Sequence, residues 1–209
     1  DSKDILRKFA ATFEAYWHDR EYTLFKMDDA EYLRRALKRE RNHDNEGFSF
    51  NFDIVPYSYQ KEILEKLKAE RELHKKYRNL IVAATGTGKT VISAFDYKAF
   101  CQDKPKGENR LLFIAHREEI LKQSISCFRT VLRNQNFGDL WVGNYEPAQI
   151  NHLFMSIQTF NSKEFQRHTR PDFYDYIIVD EFHHLAAPTY KKLLEYYKPR
   201  ILLGLTATP

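Results

Sequence analysis

Five short apolar runs constrain this chain more than any other feature: Leu80-Ile81-Val82-Ala83, Leu111-Leu112-Phe113-Ile114-Ala115, Leu153-Phe154-Met155-Ser156-Ile157, Tyr176-Ile177-Ile178-Val179 and Ile201-Leu202-Leu203-Gly204-Leu205. Strands that are apolar without alternation suit a parallel sheet covered on both faces. A helix-compatible stretch separates each run from the next, which implies right-handed crossovers and an α/β domain. Upstream, Ser58 is placed to cap a helix running to about Tyr77, with Ile63, Leu64, Leu67 and Leu73 on its buried side. Residues 1–50 contain no proline and no glycine before Gly47. Apolar residues there recur at helical spacing, predicting helices over about Asp4 to His18 and Asp28 to Arg41. At about 150 residues per domain, 209 residues make one domain and a remainder, here 51–209 and 1–50.

Directly after the first run stands Ala83-Ala84-Thr85-Gly86-Thr87-Gly88-Lys89-Thr90, leading into the helix-compatible Val91-Ile92-Ser93-Ala94-Phe95. A strand, a glycine-bearing loop and a helix start form an anion cradle, because successive N–H groups and the positive end of the helix dipole face the same point. Gly86 and Gly88 let the backbone approach a polyphosphate. Lys89 then reaches the β and γ phosphates, and the Thr90 hydroxyl holds Mg²⁺. The strict pattern has glycine where this chain has Ala83.

The fourth run ends in Asp180-Glu181-Phe182-His183-His184. In open α/β sheets the chemistry gathers at the carboxyl ends of the strands, so this acidic pair falls on the same rim as the phosphate loop. Adjacent carboxylates at a buried strand end repel unless a cation lies between them. Asp180 is expected to orient Mg²⁺ through water, and Glu181 to polarise the water that attacks the γ-phosphate. A zinc site built on His183, His184 and Asp180 is disfavoured, since neighbouring residues point apart and no third soft ligand stands at a familiar spacing.

Composition narrows the remaining choices. With 43% hydrophobic and 30% charged residues the chain is globular, which excludes disordered and fibrous classes. No run of about 18 apolar residues occurs, and the opening Asp1-Ser2-Lys3-Asp4 is charged, so neither a membrane span nor a secretory signal is expected. Cys101 and Cys127 lack CxxC spacing, and a reducing, cytoplasmic compartment is the expectation. The net charge of +4 permits a nucleic-acid partner without requiring one.

With both sites in hand, the sequence resembles the first RecA-like domain of a superfamily 2 helicase or translocase. AATGTGKT, with alanine at 83, is similar to that group's common form of the phosphate loop. Asp180 to His183 resembles its DExH box, and Thr206-Ala207-Thr208-Pro209 its TATP motif. Tyr59-Gln60 stands where the family places an adenine-reading glutamine. Ala115 to Leu121 and Ser156 to Phe160 resemble its motifs that touch the nucleic-acid backbone. The wording HREEIL, DEFHH and LLGLTATP is similar to bacterial members near the restriction-enzyme translocase subunits and to helicases with an N-terminal phospholipase-D-like nuclease domain. Residues 1–50 would then be a linker.

The resemblance implies a RecA-like fold with a mostly parallel sheet and flanking helices, preceded by a helical segment. It implies ATP and Mg²⁺ as cofactors. It also implies nucleic acid as partner, DNA favoured over RNA. Nucleotide contacts fall to Gln60, Thr85, Gly86, Thr87, Gly88, Lys89 and Thr90, and metal contacts to Thr90 and Asp180. Lys89, Asp180, Glu181 and His183 carry catalysis, while Thr206 and Thr208 couple phosphate state to the next strand. His116, Arg117, Gln158 and Thr159 meet the nucleic-acid backbone. Tyr57 or Tyr59 could stack on the base, with one of the two expected in the core. Lys122 and the basic stretch Arg34 to Arg41 read as solvated helix faces. The transition-state arginine of such motors comes from a second RecA-like domain, so the chain is expected to be a fragment that hydrolyses ATP weakly alone. The competing classes are a small-molecule kinase with a phosphate loop and a non-catalytic nucleic-acid-binding module.

Overall fold

The structure is a computed structural model that describes residues 54–103, 108–182 and 188–207. The helices expected over Asp4 to His18 and Asp28 to Arg41, like the whole of the N-terminal segment, lie outside the described residues. In chain order the elements are α1 (Ser58–Glu72), β1 (Arg78–Val82), α2 (Lys89–Asp103), β2 (Leu111–Ala115), α3 (Glu118–Leu132), β3 (Asp139–Trp141), β4 (His152–Ser156), α4 (Ile157–Ser162), a 3₁₀ turn (Phe165–His168), β5 (Tyr176–Val179), α5 (Pro188–Tyr196) and β6 (Ile201–Thr206). The sheet has six strands in the order β1-β6-β5-β2-β4-β3, and every pairing among the described strands is parallel. All five apolar runs become strands, within a residue or two of the expected bounds.

Sequence and position agree along the sheet. Every residue of the central strands β2 and β5 is buried, as a strand covered on both faces must be. Alternate side chains feed two cores. Phe113 joins Tyr97, Phe100, Phe128 and Phe154 on the α2/α3 face. Leu112 and Ile114 join Met155, Phe160, Tyr174 and Tyr197 on the α4/α5 face. Edge strands behave differently. In β1 Ile81 is buried, whereas Leu80 and Val82 are each 46% exposed, so the expectation of cover on both faces fails there. The other edge, β3, has only three residues and no apolar run, which is why periodicity does not announce it.

The first helix departs from expectation at both ends. Ser58 is its first residue rather than its cap. The cap position belongs to Tyr57, whose N–H donates to Gln60 Oε1 at 3.0 Å. The helix also ends at Glu72, and Leu73, expected on the buried side, is 75% exposed. Lys75 turns left-handed (φ 55°), and the chain must already be extended at Tyr77, whose carbonyl accepts from Leu202 N–H at 3.0 Å. The demand of β1 for a parallel partner overrides the apolar period that Leu73 continues. Among the described residues no helix is long and apolar enough to cross a membrane.

A buried polar cluster joins four elements beneath the sheet. Arg71 of α1 donates twice to Asp96 of α2, both bonds at 2.7 Å, and its Nε donates to Asn79 Oδ1 of β1 at 2.9 Å. The Tyr176 hydroxyl of β5 donates to the same carboxylate. Arg71 and Asp96 are at most 9% exposed and Tyr176 is fully buried. Burial first, then the Asp96 charge, holds the Tyr176 hydroxyl well above its usual range. A buried pair broken from one side leaves an unpaired charge. We therefore expect Asp96→Ala to cost about 3–5 kcal/mol in urea unfolding, and Arg71→Met with Asp96→Leu to recover most of the loss.

His152, stacked on Phe137 at 4.6 Å, supplies a pH dependence. Burial first, and the nearby Arg110 charge second, hold its imidazole below the ordinary 6.5. The unfolded chain binds this proton more readily than the folded one. Stability contributed by neutral His152 is thus present above pH about 6.5 and lost as pH falls through the folded value. A stability profile between pH 5 and 8 should flatten in His152→Gln.

Candidate nucleotide site

The phosphate loop grows out of the sheet. Ala83 N–H donates to Thr206 O at 3.1 Å, which extends the β1–β6 ladder by one residue before the chain turns away. Thr87 closes a tight turn, its hydroxyl donating to Ala84 O at 2.7 Å. Gly86 and Gly88 take left-handed φ values of 85° and 74°, where a Cβ would be strained. Helix α2 begins at Lys89, so its first-turn N–H groups, which lack intrahelical acceptors, face the hollow of the loop. The Lys89 ammonium spans the loop and donates to Ala83 O at 2.8 Å and Ala84 O at 3.0 Å. Thr85 is exposed, and Thr90 lies half-buried in the first turn of α2.

Gln60 is 3% exposed and ties α1 to this loop. Its Oε1 accepts from Tyr57 N–H, and its Nε2 donates to Thr87 O at 3.1 Å and to Tyr59 Oη at 3.3 Å. A Cβ on Gly88 would stand 2.6 Å from Gln60 Nε2, so a side chain there would displace the Gln60 amide from the loop, while the φ itself favours glycine. Tyr59 Oη also donates to Thr87 O, at 2.9 Å. Tyr57 and Tyr59 stack with ring centroids 5.9 Å apart and are 44% and 37% exposed. Neither is a core residue, against the expectation for one of them. With Ile54, Val55 and Val91 they line a cleft of about 500 Å³ beside the loop.

The acidic pair stands two strands away, across β6. Asp180 N–H donates to Ile114 O at 2.9 Å, and Asp180 Oδ1 accepts the amide of Glu181 at 2.9 Å. Glu181 is left-handed (φ 54°), a conformation that costs an L-residue on the order of 1 kcal/mol or more. The Tyr190 hydroxyl is buried and has no hydrogen-bond partner among the described residues. Burial first, then the charges of Glu181 and Asp180, push it up to about 12. Thr206, 2% exposed, holds the loop through its carbonyl, while His183 and Thr208 lie outside the described residues.

Four expected nucleic-acid contacts gather at the ends of β2 and β4. Gln158 Nε2 and His116 Nδ1 are 2.9 Å apart, and Arg117 precedes α3 as its exposed cap residue. Thr159 is engaged from within: its N–H donates to Ser156 Oγ at 3.0 Å, and its hydroxyl shares a 2.8 Å hydrogen bond with the same oxygen. Lys122 is exposed on α3, where it pairs with Glu118 at 2.7 Å and lies 4.6 Å over the Tyr145 ring. Sequence reasoning missed Tyr145, Tyr190 and Arg71. Only Arg71 left a signal, a lone charge spaced four residues after Leu67 on the buried stripe of α1.

Among the described residues no three His, Cys, Asp or Glu side chains could hold a metal together. A protein cage is thereby excluded for those residues. One hydroxyl and one carboxylate, completed by phosphate oxygens and water, is the donor set that Mg²⁺ accepts.

The family described as "Type III restriction enzyme, res subunit" matches residues 53–209. The chain is similar to the EcoAI type I restriction enzyme endonuclease subunit of Escherichia coli, 30% identical over 164 residues, covering 74% of this chain and 19% of that protein. It is also similar to the putative mitochondrial ATP-dependent helicase irc3 of Schizosaccharomyces pombe, 29% identical over 140 residues, covering 64% and 23%. It thus spans about a fifth of the length of these curated relatives. The fold matches the SWI2/SNF2 ATPase core of Sulfolobus solfataricus, solved in complex with double-stranded DNA, at a TM-score of 0.60 and 14% identity, covering 78% of this chain and 34% of that one.

Removing an orphaned buried hydroxyl relieves a desolvation cost. Tyr190→Phe should melt at or above the wild-type temperature, a gain of up to about 1 kcal/mol by thermal unfolding.

Proposed function

The chain belongs to the type III restriction enzyme res-subunit family, and from that premise we propose that it is the ATP-binding motor domain of a superfamily 2 nucleic-acid translocase, hydrolysing Mg·ATP to move on DNA. One observation carries the reading: the phosphate loop and the acidic pair flank a single strand, β6, at the same edge of a parallel sheet.

The chain's own groups account for each role. The first-turn amides of α2 and the Lys89 ammonium bind the β and γ phosphates, the ammonium exchanging loop carbonyls for phosphate oxygens. Thr90 and Asp180 hold Mg²⁺, which neutralises developing charge on the phosphates when bound. Glu181 orients the attacking water and accepts its proton. Gln60 already spends its amide on the loop, so it senses the nucleotide as much through Thr87 as at the base edge. The tyrosine cleft suits the base. His183, Thr206 and Thr208 relay phosphate state to β6. His116, Arg117 and Gln158 face the strand backbone, where phosphate contacts give affinity without sequence preference, and Thr159 holds the turn beside them.

Residues 1–50 serve as an accessory segment. A second RecA-like domain supplies the arginine that stabilises the transition state, in keeping with relatives of which the match covers only 19% and 23%. The kinase alternative finds no support in a rim that offers an acidic pair and exposed nucleic-acid-type side chains.

Binding of labelled Mg·ATP should fall about tenfold or more in Lys89→Ala and persist in Glu181→Gln, whose single-turnover hydrolysis drops about 100-fold or more. Robust steady-state ATPase stimulated by DNA in the 209-residue chain would contradict the need for a second domain. Phosphate appearing on a nucleoside would point to the kinase.

A further inference from the structure

Gly204 sits in the middle of β6, paired with Leu80 of β1 on one side and Val179 of β5 on the other. Its φ lies outside the left-handed region, so backbone conformation does not call for glycine. Space does. A Cβ built there would stand 2.6 Å from both Cγ and Cδ2 of Phe182 and 2.8 Å from Leu80 Cδ1, whereas real Cβ contacts essentially never fall under 3.0 Å. The missing methyl is where the Phe182 ring lies.

Phe182 is the residue after Glu181, and Cγ is only one bond beyond its Cβ. No ring flip relieves the overlap. Either Phe182 leaves its χ1 rotamer or the backbone at 181–182 withdraws, and both disturb Glu181, which is held in its left-handed turn by the Asp180 carboxylate. The same strand reaches the phosphate loop two residues later, where Thr206 O accepts Ala83 N–H. β6 therefore touches the acidic pair through a ring seated on Gly204 and the loop through a main-chain hydrogen bond.

We propose that Gly204 is a positioning residue: its bare Cα seats Phe182, and that seat sets where the Asp180 and Glu181 carboxylates stand relative to the phosphate loop. The proposal rests on the ATP-hydrolysing reading and names the contact that fixes its geometry. Misplacing a reacting group by about 1 Å costs about 100-fold in rate. Alanine is otherwise suited to a strand interior, so the substitution probes the seat and not the backbone.

The test uses the full 209-residue chain with three readouts: affinity for fluorescent ATP with and without Mg²⁺, single-turnover hydrolysis, and thermal melting. Gly204→Ala should keep its metal-free affinity within about twofold, lose about fivefold or more of the gain that Mg²⁺ brings, and hydrolyse about tenfold or more slowly. Adding Phe182→Ala, which removes Cγ and the ring, should recover part of both losses, a non-additivity that independent sites do not show. A Gly204→Ala chain that binds and hydrolyses within about twofold of wild type overturns the proposal alone. So does an equal loss of affinity with and without Mg²⁺, or a double variant no better than the single. Failure of the wild-type chain to bind Mg·ATP overturns the functional reading, and this proposal with it.

Discussion

Parallel pairing through β6 is the constraint on which the site depends. Val82 registers with Thr206 and Val179 with Gly204, so the chain leaves β1 and β5 on either side of one strand and at the same edge. The phosphate loop and the acidic pair have no freedom to sit elsewhere once those registers form. A shift of one residue in either ladder would turn the alternating side chains of the strand to the wrong core. The two aromatic cores, one fed by Phe113 and the other by Leu112 and Ile114, therefore fix the register that fixes the site.

Stability and local strain are distributed unevenly. The floor of the sheet is held by Arg71, Asp96 and Tyr176, a fully engaged polar cluster that joins α1, α2, β1 and β5. The rim carries two local exceptions, left-handed Glu181 and a Tyr190 hydroxyl without a partner among the described residues, while Lys75 and Arg133 are left-handed elsewhere. Such costs persist only where surrounding structure over-determines them, and they gather at sites that do chemistry.

Much of this was legible in the sequence because the determining patterns are local. An apolar run of four or five residues predicts a buried parallel strand, and Gly86 to Thr90 after such a run predicts an anion cradle. What escaped depends on partners distant in the chain. Leu73 continues the apolar period of α1, yet the turn into β1 leaves it in solvent. Arg71 finds Asp96 and Phe182 finds Gly204 only after folding, and Gln60, expected to read adenine, also braces the phosphate loop. β3 is too short to carry a period at all.

Hydrogen exchange with and without Mg·ATP tests the central claim most directly. The account predicts that added nucleotide slows exchange together at three separated stretches, the loop 84–90, the acidic turn 180–182 and the end of β6 at 204–207, while α3 and β3 stay unchanged. Protection confined to one stretch, or centred on the α1–β1 side away from the loop, would contradict a site assembled across β6.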